Sequence, residues 1–234
     1  MKGKLYGIGV GPGDPGLLTL RAKEILEKAH VIAYPVGKAG GEGTALDIVK
    51  QAVDISGKEV AELVFKMDPD DGVRRKCRAE NIGRICQMLD RGDDIAMITL
   101  GDVAVYSTYM YLDREVRERG YDTEVVPGIP SFCHGAAKAG LPLMIGEESL
   151  AVFSMAKHNI GKIEEALGCL DNIVIMKAFA SMGEIAEMMA RNGIPLSAAS
   201  VMSNIGMDDE YVGPLDADRK YGYFTTVLIK KGGI

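Results

Sequence analysis

The segment Leu100-Gly101-Asp102-Val103-Ala104-Val105-Tyr106-Ser107-Thr108-Tyr109 gathers a carboxylate, a glycine and four hydroxyls directly behind the apolar run 95–100. A Gly-Asp turn there puts exposed backbone at the carboxyl end of a buried strand, where open α/β sheets bind their ligands. Glycine lets a ligand approach the main chain closely, and hydroxyls beside a helix start supply donors and acceptors. Leu100, Gly101, Asp102, Tyr106, Ser107 and Thr108 therefore read as one edge of a pocket. Ser107 or Thr108 suits a helix cap equally well.

Other segments narrow the chemistry. Gly11-Pro-Gly13-Asp-Pro-Gly16 formally fits G-x-G-x-x-G, but two prolines stiffen the turn that would wrap a pyrophosphate. The next strand ends in Tyr34-Pro35 and not in the acidic residue that holds a ribose, which counts against a dinucleotide site and for a plain turn. Pro127-Gly-Ile-Pro-Ser131 suits a binding turn and a tight interdomain connection equally. Arg74, Arg75, Lys76 and Arg78 read either as a solvated helix face or as a site for a polycarboxylate. His30, His134 and His158 are scattered, the four cysteines contain no C-x-x-C pair, and no serine sits in G-x-S-x-G. No metal site and no nucleophile is expected. Asp102, the tyrosine hydroxyls and water are the groups able to take a proton near the turn, and none is assigned as catalyst.

These residues need a scaffold. Apolar runs at 4–10, 31–34, 95–100 and 123–126 predict strands, and helical spacing of Ala22, Ile25 and Leu26, of Ile48 and Val49, and of Ile82, Ile85 and Leu89 predicts the helices between them. A helix is expected over 107–119. Beyond Pro127 the alternation resumes, with helices near 131–139, 162–167 and 182–191 and strands near 150–154, 173–176, 198–202 and 224–230. This pattern predicts an α/β protein with mainly parallel sheet, divided into domains 1–127 and 128–234. A net charge of −6 disfavours a broad nucleic-acid-binding face. The apolar runs fall short of the roughly 20 residues that span a bilayer, and no signal peptide is visible, so a cytoplasmic protein is expected.

In order and spacing, Gly7-Ile-Gly-Val-Gly-Pro-Gly-Asp-Pro-Gly-Leu-Leu-Thr19, Leu100-Gly-Asp102, Val125-Val-Pro-Gly-Ile129 and Gly140-Leu-Pro-Leu143 resemble the tetrapyrrole methylase family over nearly the whole chain. The resemblance implies two α/β domains, the class III methyltransferase fold, with S-adenosylmethionine (SAM) in the cleft between them. It implies that Pro12, Leu100, Gly101, Asp102, Val105, Pro130, Ser131, Met176 and Ile205 contact SAM, largely through backbone atoms, and that Tyr106, Ser107 and Thr108 line the same pocket. The Tyr106-Ser-Thr-Tyr109 run, and the long segment between Pro35 and Leu100, look most like members that methylate carbon-20 of precorrin-2 or its cobalt form in cobalamin synthesis. Members acting on another ring carbon, diphthine synthase, and a non-catalytic SAM sensor are the alternatives. Such a substrate carries many carboxylates, which Arg74, Arg75, Lys76 and Arg78 would bind. A homodimer is implied as well. Relatives usually follow Gly-Asp with proline; Val103 here is expected to leave the turn more flexible and to add a backbone donor.

Overall fold

The computed structural model describes residues 1–41, 43–66 and 68–232, and its contacts divide the chain into Met1–Pro130 and Ser131–Ile234. In the first unit, strands β1 (Leu5–Gly9), β2 (Val31–Val36), β3 (Glu59–Val64), β4 (Ile95–Thr99) and β5 (Thr123–Val126) form one wholly parallel sheet in the order β3-β2-β4-β1-β5. β4, Ile-Ala-Met-Ile-Thr, is buried along its whole length, as a central parallel strand covered on both faces must be.

Helices α1 (Leu20–Lys28) and α2 (Thr44–Ala52) cover one face, where Ile25, Leu26, Ile48 and Val49 meet Ile8, Ile32 and Ile98. Helices α3 (Asp71–Asp90) and α4 (Tyr109–Glu118) cover the other, where Ile82, Ile85, Leu89, Leu112 and Val116 meet Leu5, Ile95 and Met97. Thr19 Oγ1 caps α1 by accepting the Ala22 N–H at 3.2 Å. β1 leads to α1 on one face while its neighbour β4 leads to α4 on the opposite face. The carboxyl ends of β1 and β4 therefore flank a topological switch point, the crevice where open α/β sheets take ligands.

The second unit departs from the expected parallel arrangement. Its strands β6 (Leu150–Ser154), β7 (Asn172–Met176), β8 (Ala199–Ser203), β9 (Tyr211–Pro214) and β10 (Thr225–Lys230) lie in the order β6-β7-β10-β8-β9, and only β6 and β7 pair in parallel. The connection 204–210 contains no helix and turns β8 straight back into β9, while β10, entered through 215–224, runs antiparallel to both of its neighbours, β7 and β8. α6 (Ile160–Cys169) and α7 (Met182–Arg191) pack Ile163, Leu167, Ile185 and Met188 on Ile173, Ile175 and Val227. α5 (Ser131–Ala139) packs on the other face, where a side chain at Gly135 would meet the Met202 sulfur at 2.4 Å. Two edge strands, β3 and β9, go beyond the sequence reading. No helix among the described residues is long and apolar enough to cross a membrane.

Candidate functional site

Three loops of the first unit meet at the carboxyl edge of its sheet. Those behind β1 and β4 join through a reciprocal backbone pair, Gly11 N–H to Gly101 C=O at 3.2 Å and Gly101 N–H to Gly11 C=O at 2.7 Å. Both glycines are left-handed, with φ of 80° and 75°. The loop behind β5 closes on this pair so tightly that a Cβ on Gly128 would lie 2.2 Å from the Gly101 carbonyl oxygen and 2.7 Å from the Gly9 carbonyl carbon. Asp102 supplies the clamp. Its buried carboxylate accepts the Ala104 N–H on Oδ1 and the Gly128 N–H on Oδ2, each at 2.8 Å. These contacts fix 127–130 to the first unit, which ends after Pro130. Val103 is fully buried in the core beneath α3 and α4, so packing anchors the turn in place of a proline ring. Pro12 is buried behind β1, Leu100 and Val105 are half-buried, and Pro130 and Ser131 follow Gly128 at the start of α5.

The hydroxyl run separates into different roles. Tyr106 is left-handed (φ 51°) and half exposed. Ser107 is buried; its Oγ accepts the Tyr109 N–H at 3.1 Å and lies 3.3 Å from Thr99 Oγ1, which pins the start of α4 to the end of β4. Thr108 is half-buried and makes no capping bond. Tyr109 is a core residue: its ring fills the space a Gly7 side chain would occupy, and its hydroxyl sits 3.2 Å from Asp113 Oδ1 and 3.3 Å from the Glu124 carbonyl. Burial, reinforced by the Asp113 charge, pushes its phenol well above the ordinary tyrosine range, so it accepts no proton from a ligand. With both Asp102 oxygens engaged by N–H donors, neither group is positioned as a base.

Within the second unit, Met176 ends β7 and buried Ile205 follows β8. Each adjoins a left-handed residue, Lys177 (φ 58°) and Asn204 (φ 51°). Together with Tyr106 these are the positive-φ residues other than glycine among those described, and all three stand in connections leaving the carboxyl ends of strands. Such strained positions concentrate at ligand sites. Hydrogen bonds hold the second pair: Asn204 N–H to Phe224 C=O at 3.0 Å, Ala178 N–H to Thr225 C=O at 3.0 Å and Asn204 Nδ2 to Asp209 Oδ2 at 2.6 Å. Lys177 carries no sequence signal for this geometry, since a lysine seldom adopts it.

The cationic cluster occupies the first two turns of α3, at the carboxyl edge of the first sheet. Most of its charge is spent locally. Arg74 donates to the Pro69 carbonyl at 2.9 Å and to Asp71 at 3.1 Å, Arg75 pairs with Asp71, and Arg78 lies 5.1 Å over the Tyr111 ring and 4.0 Å from Glu115. Although desolvation opposes it, Arg75 and Arg74 together hold the Asp71 carboxyl below its ordinary value. Lys76 is exposed. Among the described residues no three His, Cys, Asp or Glu side chains converge as metal ligands.

Residues 4–218 match the family model described as Tetrapyrrole (Corrin/Porphyrin) Methylases. The chain is 33% identical to a cobalt-precorrin-2 C(20)-methyltransferase of Salmonella typhimurium, over 99% of this chain and 98% of that protein. It is 38% identical to a probable cobalt-precorrin-2 C(20)-methyltransferase of Methanocaldococcus jannaschii, over 74% of this chain and 72% of that protein. A uroporphyrin-III C-methyltransferase of Thermus thermophilus, solved with S-adenosyl homocysteine, shares the fold with a TM-score of 0.70 at 20% identity, covering 97% of each chain.

Proposed function

Because the chain belongs to the tetrapyrrole methylase family, we propose that it methylates carbon-20 of precorrin-2, or of its cobalt form, with SAM as methyl donor, in cobalamin biosynthesis. The observation that carries this reading is the match to a carbon-20 methyltransferase along almost the whole length of both proteins. Readings as a methylase of another ring carbon, as diphthine synthase or as a non-catalytic sensor have no comparable support.

SAM fits the carboxyl edge of the first sheet. The connection behind β4 runs left-handed at Gly101 and Tyr106, which leaves peptide groups outside the strand ladder for the polar atoms of an amino-acid nucleoside. Pro12, Leu100, Gly101, Asp102, Val105, Pro130 and Ser131 hold it through main-chain atoms, with Tyr106 and Thr108 beside them. Ser107 contributes by fixing α4, and Met176 and Ile205 keep the backbone contacts that the family resemblance gives them. When bound, SAM supplies an electrophilic sulfonium methyl group. An electron-rich ring carbon attacks such a methyl directly, so the protein needs no nucleophile and its task is alignment. Asp102 serves alignment by joining two loops. Of the α3 cations, Lys76 is the one left to attract the substrate's carboxylates, because Arg74, Arg75 and Arg78 are engaged with Asp71, the Pro69 carbonyl, Glu115 and the Tyr111 ring. We place the enzyme in the cytoplasm as a homodimer, which sedimentation velocity would check.

Incubation with SAM and either metal-free or cobalt-loaded precorrin-2, followed by mass spectrometry and NMR location of the new methyl group, tests the reading. One methyl at carbon-20 is expected; a methyl at another carbon overturns it.

A further inference from the structure

We propose that Lys38, Lys66 and Lys76 form the rim that binds the substrate's carboxylates, and that the arginines of α3 do not; this rests on the methylation reading above. β2 and β3 pair up to Val36 and Val64, and the Phe65 N–H still donates to the Val36 carbonyl at 2.7 Å. Lys38 and Lys66 thus leave adjacent strands two residues beyond matched positions, at the carboxyl edge that carries Gly101 and Asp102. Lys76, on the second turn of the helix that follows β3, stands at the same edge.

All three are exposed, and none has an ion pair, a hydrogen bond or an aromatic partner among the described residues. Every other described lysine and arginine of the first unit has a partner: a carboxylate in most cases, main-chain carbonyls for Lys58 and Arg84, the Tyr121 ring for Lys2 and the Cys86 sulfur for Arg119. None of the described carboxylates nearby pairs with these lysines. Asp68 accepts the Asp70 N–H, Asp70 accepts the Gly72 N–H, Glu62 accepts the Gly40 N–H, and Asp71 holds Arg74 and Arg75. Three unpaired ammonium groups on one edge repel one another in the absence of an anion between them.

The test measures steady-state kinetics with precorrin-2 for Lys38→Gln, Lys66→Gln, Lys76→Gln, the triple variant and Arg75→Gln, together with SAM affinity by calorimetry. Each lysine variant is expected to raise KM for precorrin-2 by about fivefold and the triple variant by about fiftyfold or more, with SAM affinity within about twofold of the parent. Arg75→Gln is expected to leave KM within about twofold. A triple variant with unchanged KM, or a KM rise confined to Arg75→Gln, overturns the rim. If the parent protein transfers no methyl to precorrin-2 or to its cobalt form, the methylation reading fails by itself. Fluorescence quenching of uroporphyrin by the parent and triple proteins then decides the rim, and equal affinities overturn it.

Discussion

Replacing Gly128 by alanine tests whether the loop junction positions the cofactor. The added Cβ would lie 2.2 Å from the Gly101 carbonyl oxygen, 2.7 Å from the Gly9 carbonyl carbon and 2.8 Å from the Gly9 Cα, all of them backbone atoms. The closest ordinary C···O contact is about 3.3 Å, so the loops behind β4 and β5 must separate by roughly 1 Å. That separation would stretch the 2.8 Å bond from the Gly128 N–H to Asp102. Overpacking costs ~1–3 kcal/mol and a weakened bond to a charged acceptor about 1 more, so a loss of about 3 kcal/mol is expected. For a protein of this size that corresponds to a fall in Tm of roughly 6–12 °C. Displacement of about 1 Å at a site that works by alignment lowers kcat/KM by roughly 100-fold. Gly83→Ala is the control: nothing lies within 4 Å of its Cβ position in the middle of α3, so a gain of about 0.5–1 kcal/mol with unchanged activity is expected. Differential scanning calorimetry and initial rates at saturating tetrapyrrole give both readings. A Gly128→Ala protein with the parent's Tm and SAM dependence would refute the reasoning.

Asp102→Asn offers one acceptor oxygen where two N–H donors wait, so SAM affinity is expected to fall about tenfold while the pH profile of kcat keeps its shape; loss of the acidic limb would instead make Asp102 a base. Tyr109→Phe should cost about 1 kcal/mol in chemical denaturation and leave kcat within about twofold, because its buried hydroxyl bonds Asp113 and the Glu124 carbonyl inside the core. Lys230, then Asn172 and the Ile145 N–H, hold the Glu148 carboxyl below its ordinary value. A depressed acid stabilises the fold fully above its unfolded pKa of about 4.3, and that contribution is lost as pH falls through the folded value. Glu148→Gln is therefore expected to lower Tm at neutral pH, with the difference from the parent closing below about pH 4. A gap that persists in acid would count against this ion pair.

Buried strands were readable from composition because they carry it undiluted: Ile-Ala-Met-Ile-Thr in β4 is apolar on both faces. β3 is an edge strand that carries Glu59 and Glu62 and has only Ala61 and Leu63 buried, and that pattern does not rise above its surroundings. β9 has no buried residue, and β10 reverses direction through a sheet contact that no local run of residues encodes. At the site, the Gly-Asp turn was readable because glycine announces a left-handed backbone. The clamp between Asp102 and Gly128 was not, because 26 residues separate its partners. Tyr109 looked like its neighbours in the hydroxyl run. Only the helical phase of α4 against Gly7 turns its ring into the core.

The placement of β10 also sets an order of events during synthesis. Strands β1 to β5 all lie within the first 126 residues, so that sheet is complete once Met1–Pro130 has left the ribosome. The second sheet has its last strand in sequence at its centre, and until Thr225–Lys230 arrives β6–β7 and β8–β9 are two unconnected strand pairs. Such pairs are marginal alone, so the nascent chain carries a finished first unit and an open second one, and chaperone dependence or early proteolysis falls on residues 131–224.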